Sequence, residues 1–179
     1  MKKLVSLLSV LLVMSCVIEE GVDGRDGQDG QDGQDALNAE SFDTIVDFEY
    51  FDDSGLQKTF INLPFDLNDR EAVLIYRLED VVNIDDLPTN AWSLLPQNFF
   101  LEDGNIIQYI FNHTFSDVEL LIDGNFDLST LGSEFTQNQR FRVVILPASQ
   151  INGVDTSDIN TVMAIGNIEA FLSKITHNN

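Results

Sequence analysis

The stretch from Asp123 to Glu134 carries oxygen donors at a spacing suited to a hard cation. Asp123, Asn125, Asp127 and Glu134 match the first, third, fifth and twelfth positions of an EF-hand calcium loop. Leu128 stands at the sixth position, where the sharp turn calls for glycine, and the flanks read as strands rather than helices. A plain β-turn leading into an exposed loop therefore competes with calcium as the explanation. Trp92, Phe99 and Phe100 form a second constellation around Pro96. An exposed indole beside a phenyl ring can stack on a sugar, whereas a buried one anchors a core, and large aromatics usually bury their area. The chain has two histidines. His113 lies on an aromatic strand face and is expected to pack in the core, while His177 falls in a stretch expected to fray. No nucleophile elbow, P-loop, dinucleotide fingerprint or zinc-protease helix occurs in the sequence. With 30 Asp and Glu, some carboxylate pair will always lie at glycosidase distance, so spacing alone argues for no hydrolase.

Charge narrows the partner classes. Lys and Arg total 9 against those 30 acids, for a formal charge of -21, which excludes electrostatic binding to nucleic acid or to anionic lipid. A single cysteine, Cys16, excludes an internal disulfide framework and a cysteine-rich zinc site. Lys2 and Lys3 precede a nearly unbroken apolar run, Leu4 to Met14. At helical rise that run is roughly 16 Å long, about half a bilayer core, which suits a signal-peptide core and not a membrane span. Val13, Ser15 and Cys16 resemble the lipobox of a bacterial lipoprotein signal, with Met14 bulkier than the usual residue between them. The resemblance implies cleavage after Ser15 and lipidation of Cys16, an anchor whose acyl methylenes contribute about 0.8 kcal/mol each. Glu19 and Glu20 follow, similar to the acidic export cue of Bacteroidetes surface lipoproteins.

A repeat comes next. Gly21, Gly24, Gly27, Gly30 and Gly33 recur every third residue, each followed two positions later by Asp. This is collagen-like G-x-y spacing. It lacks the proline that pre-sets the extended chain, and Asp in one register on three chains would repel, so a flexible acidic spacer is expected instead of a trimeric helix. Such a spacer reaches about 25 Å, enough to hold a domain clear of lipid headgroups.

From about Ala36 the composition shifts to Phe, Ile, Leu and Val interleaved with Asp and Asn. With 44% apolar residues overall, the remainder can bury a core. Phe42, Thr44, Val46, Phe48 and Tyr50 alternate with Asp43, Asp47 and Glu49, predicting a half-buried strand. Ala72 to Leu78 is a short apolar run typical of a strand covered on both faces. Ile107, Tyr109, Phe111, His113 and Phe115 alternate, as do Val118, Leu120 and Ile122. Phe141, Val143 and Ile145 alternate against Arg140 and Arg142 up to Pro147. Turn residues between these runs predict an all-β, antiparallel β-sandwich, immunoglobulin-like or jelly-roll-like. Helical spacing at Ile168, Phe171, Leu172 and Ile175, with a short helical turn within 157–165, predicts a small helical tail.

The arrangement resembles a family of Bacteroidetes lipoproteins with a lipobox, a short G-x-y tract and a β-rich domain. The carriers of that likeness are Trp92 to Pro96 and the strand Arg142 to Pro147. The expected organisation is a signal peptide over 1–15, a lipidated spacer over 16–36 and a sandwich over 37–179. No cofactor is expected unless calcium binds the Asp123 loop. The expected role is a non-enzymatic module on the outer membrane, lipid-anchored and surface-exposed, with a protein or glycan partner. A carbohydrate-binding module and a secreted hydrolase are the alternatives, the first placing Trp92 beside a groove.

Overall fold

The computed structural model describes residues 39–166, Ile168 and the backbone of Thr176–His177. The segments 1–15 and 16–36, including Cys16 and the glycine repeat, lie outside the described residues, as do Phe171, Leu172 and Ile175. The described residues belong to one compact unit, Ala36–Asn179.

Ten strands form two five-stranded sheets. They are β1 (Glu40–Val46), β2 (Glu49–Phe51), β3 (Leu56–Asn62), β4 (Glu71–Ile84), β5 (Leu87–Leu94), β6 (Gln97–Phe100), β7 (Ile106–His113), β8 (Asp117–Gly124), β9 (Gln139–Pro147) and β10 (Thr176–His177). The first sheet runs β10-β1-β9-β4-β5 and the second β2-β3-β8-β7-β6. All pairings are antiparallel except β10 on β1. The chain is an all-β sandwich. Among the described residues two short helices accompany it, α1 (Ser133–Thr136) and α2 (Ile159–Ile165).

The first alternating run is two strands, not one. Its inward residues stay inward throughout: Thr44, Val46 and Phe48 are buried, and Phe42 and Tyr50 pack on the same core. At Asp47 the chain leaves the first sheet for the second, because the side-chain oxygen accepts from the Asn138 amide (2.6 Å) and the Phe48 amide donates to Thr136 (2.7 Å). Strands that change sheets in this way close the corner of a sandwich. Between the sheets, Phe48 meets Tyr109 and Phe141 edge-on at centroid distances of 5.8 and 6.1 Å, among Ile75, Val143, Ile107 and Ile122. Edge-on geometry sets positive ring rims against negative ring faces.

The outer faces of the two sheets differ. On the first sheet, Tyr76, Val144 and Leu146 are fully buried outside the main core, beneath Val162 of α2. This is why β4, and β9 from Val143 to Leu146, read as apolar on consecutive residues, not alternate ones. Asp158 starts α2 by accepting from the Asn160 amide (3.0 Å) and the Thr161 hydroxyl (2.7 Å), and those bonds hold its carboxyl below the usual range. Tyr76 donates to the Thr156 carbonyl (2.7 Å), and burial, with Asp158 and Asp155 nearby, pushes its hydroxyl up to about 12. The second sheet carries no such helix among the described residues, and Phe60 and Phe100 stand exposed on it.

Candidate functional site

The three aromatics singled out in the sequence point in three directions. Trp92 lies on the outer face of the first sheet, half-buried in the cluster under α2. The Arg142 guanidinium sits 4.5 Å from its ring centroid. Arg142 is itself clamped by Asp43 through bonds of 2.6 and 3.0 Å, with Arg140 a further 3.5 Å contact on the same carboxylate. One face of the indole thus serves an internal cation and does not front a groove.

Phe99 faces the sandwich interior, edge-on to Tyr109 (5.6 Å) and Phe135 (6.0 Å). Arg77 lies over both rings, 5.0 Å from Phe99 and 4.8 Å from Tyr109. It is held there by two bonds to the Gln139 carbonyl oxygen, whose own amide nitrogen donates to Glu134 and Gln137. Tyr109 donates to the Phe135 carbonyl (2.6 Å), and burial pushes its hydroxyl up to about 12 against the pull of Arg77. This network ties the α1 loop to the core.

Phe100 is the outward neighbour and is 80% exposed. It pairs with Ile106, and beside them Asn98 pairs with Gln108, which pairs with Asp123. Asn98, Ile106, Gln108 and Asp123, with Gly124 and Asn125, line a shallow groove of about 290 Å³ at the β6–β7–β8 edge, with Phe100 next to Asn98 on the same strand face and outside the lining. Gln108 donates to Asn98 (2.8 Å), so a row of planar amides runs beside the phenyl ring.

The four oxygen donors of the loop-like pattern do not gather. Asp123 accepts from the Gly124 amide (2.7 Å) and Asn125 from the Ile106 amide (2.8 Å). Asp127 caps a 3-10 turn by accepting from the Ser129 amide (3.0 Å), which holds its carboxyl below the usual range. Glu134 sits in α1 and folds its carboxylate back over Gly132. Each donor is already engaged in closing the chain on itself, apart from Glu134, which faces solvent. No group of three or more His, Cys, Asp or Glu among the described residues is arranged to hold a metal.

His113 overturns its expectation. It is exposed at the last residue of β7, its Nδ1 3.1 Å from the Thr114 carbonyl, although its cross-strand partner Val118 is fully buried. His177 lies in β10, where its backbone pairs with Ile45 instead of fraying; its side chain is outside the described residues.

Two features escaped the sequence reading. One is a pocket of about 350 Å³ at the end of the sandwich, floored by Leu101, Phe126, Leu131 and Phe135 and rimmed by Glu102, Asp103 and Glu134. Its rim turns on Asp103 and Gly104, both at positive φ, a pair no hydrophobic pattern announces. The other is a hairpin arm, β4 to β5, every residue of which is exposed from Glu79 to Asn90. No protein-family model matches the sequence, and no curated protein or solved structure is significantly similar to it.

Proposed function

We propose that this chain is a non-enzymatic cell-envelope lipoprotein, anchored in the outer membrane through Cys16, that displays its sandwich as an interaction module on the acidic spacer. The supporting observation is the contrast between the two outer sheet faces. One is roofed by α2, while the other leaves Phe100 80% exposed beside a groove edged by Asn98, Gln108, Asp123 and Asn125. A ligand that covered this ring would gain the free energy of burying its apolar area, and the neighbouring amides could satisfy the ligand's polar groups.

That same groove favours one second reading, a glycan ligand. A phenyl face takes the apolar side of a pyranose, and planar amides and a carboxylate take its hydroxyls. In this reading Phe100, and not Trp92, is the stacking residue. The hydrolase reading draws no such support: the carboxylates with shifted acidity, Asp127 and Asp158, are lowered by local capping bonds, the opposite of what a general acid needs.

Location and ligand are tested separately. Intact producing cells are treated with a membrane-impermeant amine reagent, alongside a Cys16→Ser control. The wild type should be labelled and recovered with outer membrane, and the control lost from it. A membrane-bound but unlabelled wild type would sink surface display. A glycan array read with the wild type and with Phe100→Ala decides the ligand class: glycan binding that the substitution abolishes supports the second reading, and none leaves a protein partner.

A further inference from the structure

We propose that the β4–β5 ribbon beyond Arg77 is a docking arm that inserts its side chains into an apolar, basic-rimmed groove of a protein partner. The pairing of β4 with β9 ends at Arg77, yet β4 continues to Ile84 and turns back into β5. From there outward the ribbon has no strand beside it among the described residues. Its register, Val82 opposite Thr89 and Ile84 opposite Leu87, puts Val82, Ile84, Leu87 and Ala91 on one face. On that face Val82 is 39% exposed, Ile84 54% and Leu87 67%, an apolar area on the order of 300 Å², a size at which patches on single chains are often functional; Val81, 50% exposed, lies on the opposite face. Projecting about 17 Å, the arm can enter a groove that a flat sheet face cannot.

Its edges are partly blunted against strand addition. Ile84 and Leu87 flank a two-residue turn and so bond each other, which turns the backbone of Val81, Asn83, Pro88 and Asn90 outward. Pro88 has no amide hydrogen, and the Val81 amide donates to its own neighbour, the Asp80 carboxylate, at 2.7 Å. With one donor missing and another engaged on the two edges, the apolar face is the more continuous surface for recognition.

The charge selects the partner. Glu79 and Asp80 stand at the base of the strip and Asp85 and Asp86 at its tip, and no Lys or Arg occurs between Arg77 and Arg140. A second copy, at a net charge of -21, would bring acid against acid. A groove lined with aliphatic side chains and rimmed by Lys and Arg matches both the strip and its ends. This surface is separate from the Phe100 groove, so either assignment can fail alone.

The test places a photocrosslinker in the full chain, as Leu87→p-benzoylphenylalanine, with Val82→p-benzoylphenylalanine on the same face and Phe115→p-benzoylphenylalanine in the exposed β7–β8 turn as control. Intact producing cells are irradiated and the adducts sequenced by mass spectrometry. The expected result is one adduct with a different protein, shared by Leu87 and Val82 and absent from Phe115, at a peptide with excess Lys and Arg. Yield should fall about tenfold in 0.5 M salt and in Asp85→Asn/Asp86→Asn, whose melting stays unchanged. An adduct with a second copy or with lipid, a salt-indifferent yield, an acidic crosslinked peptide, or no adduct from either arm position in a normally melting chain would overturn the proposal.

Discussion

Asp43→Ala tests the outer face of the first sheet. Asp43 is 5% exposed and receives two bonds from Arg142, at 2.6 and 3.0 Å, with Arg140 at 3.5 Å. Removing one member of a fully buried pair costs about 3–5 kcal/mol, because the other charge is stranded. Here the stranded guanidinium groups are 20% and 30% exposed and can recruit water, so the loss should fall to about 2–3 kcal/mol. The assay is urea unfolding followed by Trp92, the single tryptophan, whose ring lies 4.5 Å from Arg142. With a slope of about 2 kcal/mol per molar, the midpoint should drop by roughly 1–1.5 M. Asp43→Asn should fall between, keeping an acceptor and losing the charge. The double-mutant cycle with Arg142→Met should give a coupling of about 1.5 kcal/mol. A midpoint shift under about 0.3 M at unchanged slope, or a cycle that closes to zero, would show that the ion cluster is decoration and that aliphatic packing under α2 carries this face.

Alkali should unfold the sandwich early. Tyr76 and Tyr109 keep their protons to about 12 when folded against 10.0 when free, so the stability they contribute is complete below pH 10 and is lost as pH rises toward 12. The loss is about 2 kcal/mol for each ring after allowing for solvent screening. Tyrosinate absorbance should therefore rise in step with loss of β circular dichroism for these two rings; ionisation well before unfolding would contradict the burial. At the arm tip, Asp85 and Asp86 have φ of 50° and 63°. Asp86→Gly should raise stability by roughly 0.5 kcal/mol in thermal melts, since glycine holds that conformation without strain, and a fall would refute the turn geometry. In the core, Phe141→Ala should cost about 3–5 kcal/mol, and a loss below 1 would deny the edge-on cluster its role.

The runs legible in the sequence were those with one wet and one dry face, or two dry ones. Phe141, Val143 and Ile145 against Arg140 and Arg142 gave β9, and the unbroken apolar run from Ala72 gave the covered part of β4. What stayed hidden has a physical cause in each case. In β3 the inward residues begin with Gln57, buried because its amide donates to the Leu128 carbonyl (2.9 Å), while Phe60 points to solvent. That inverts the expected polarity of the strand. The β4–β5 arm has water on both faces, so no alternation can mark it. The break at Asp47 leaves inward periodicity intact and is visible only through the amides that Asp47 and Thr136 satisfy.

Candidate site residues were less legible because residue type does not say which side of a sheet faces water. Phe99 and Phe100 are adjacent, so strand geometry sends one inward and one outward, and only the sheet partner decides which. Asp123, Asn125 and Asp127 have the oxygens of a cation loop, yet backbone amides reach them first. The minority charges say more. Arg77 is held over Phe99 and Tyr109, Arg140 and Arg142 converge on Asp43, and Lys58 lies 3.8 Å from Glu119 and over the Phe51 ring. These cations are engaged within the fold, while acids line the arm, the pocket rim and the amide groove. The field the sandwich presents is therefore more uniformly acidic than its composition alone implies. A cationic partner approaching the arm is drawn by these acids, and an anionic one is repelled by them.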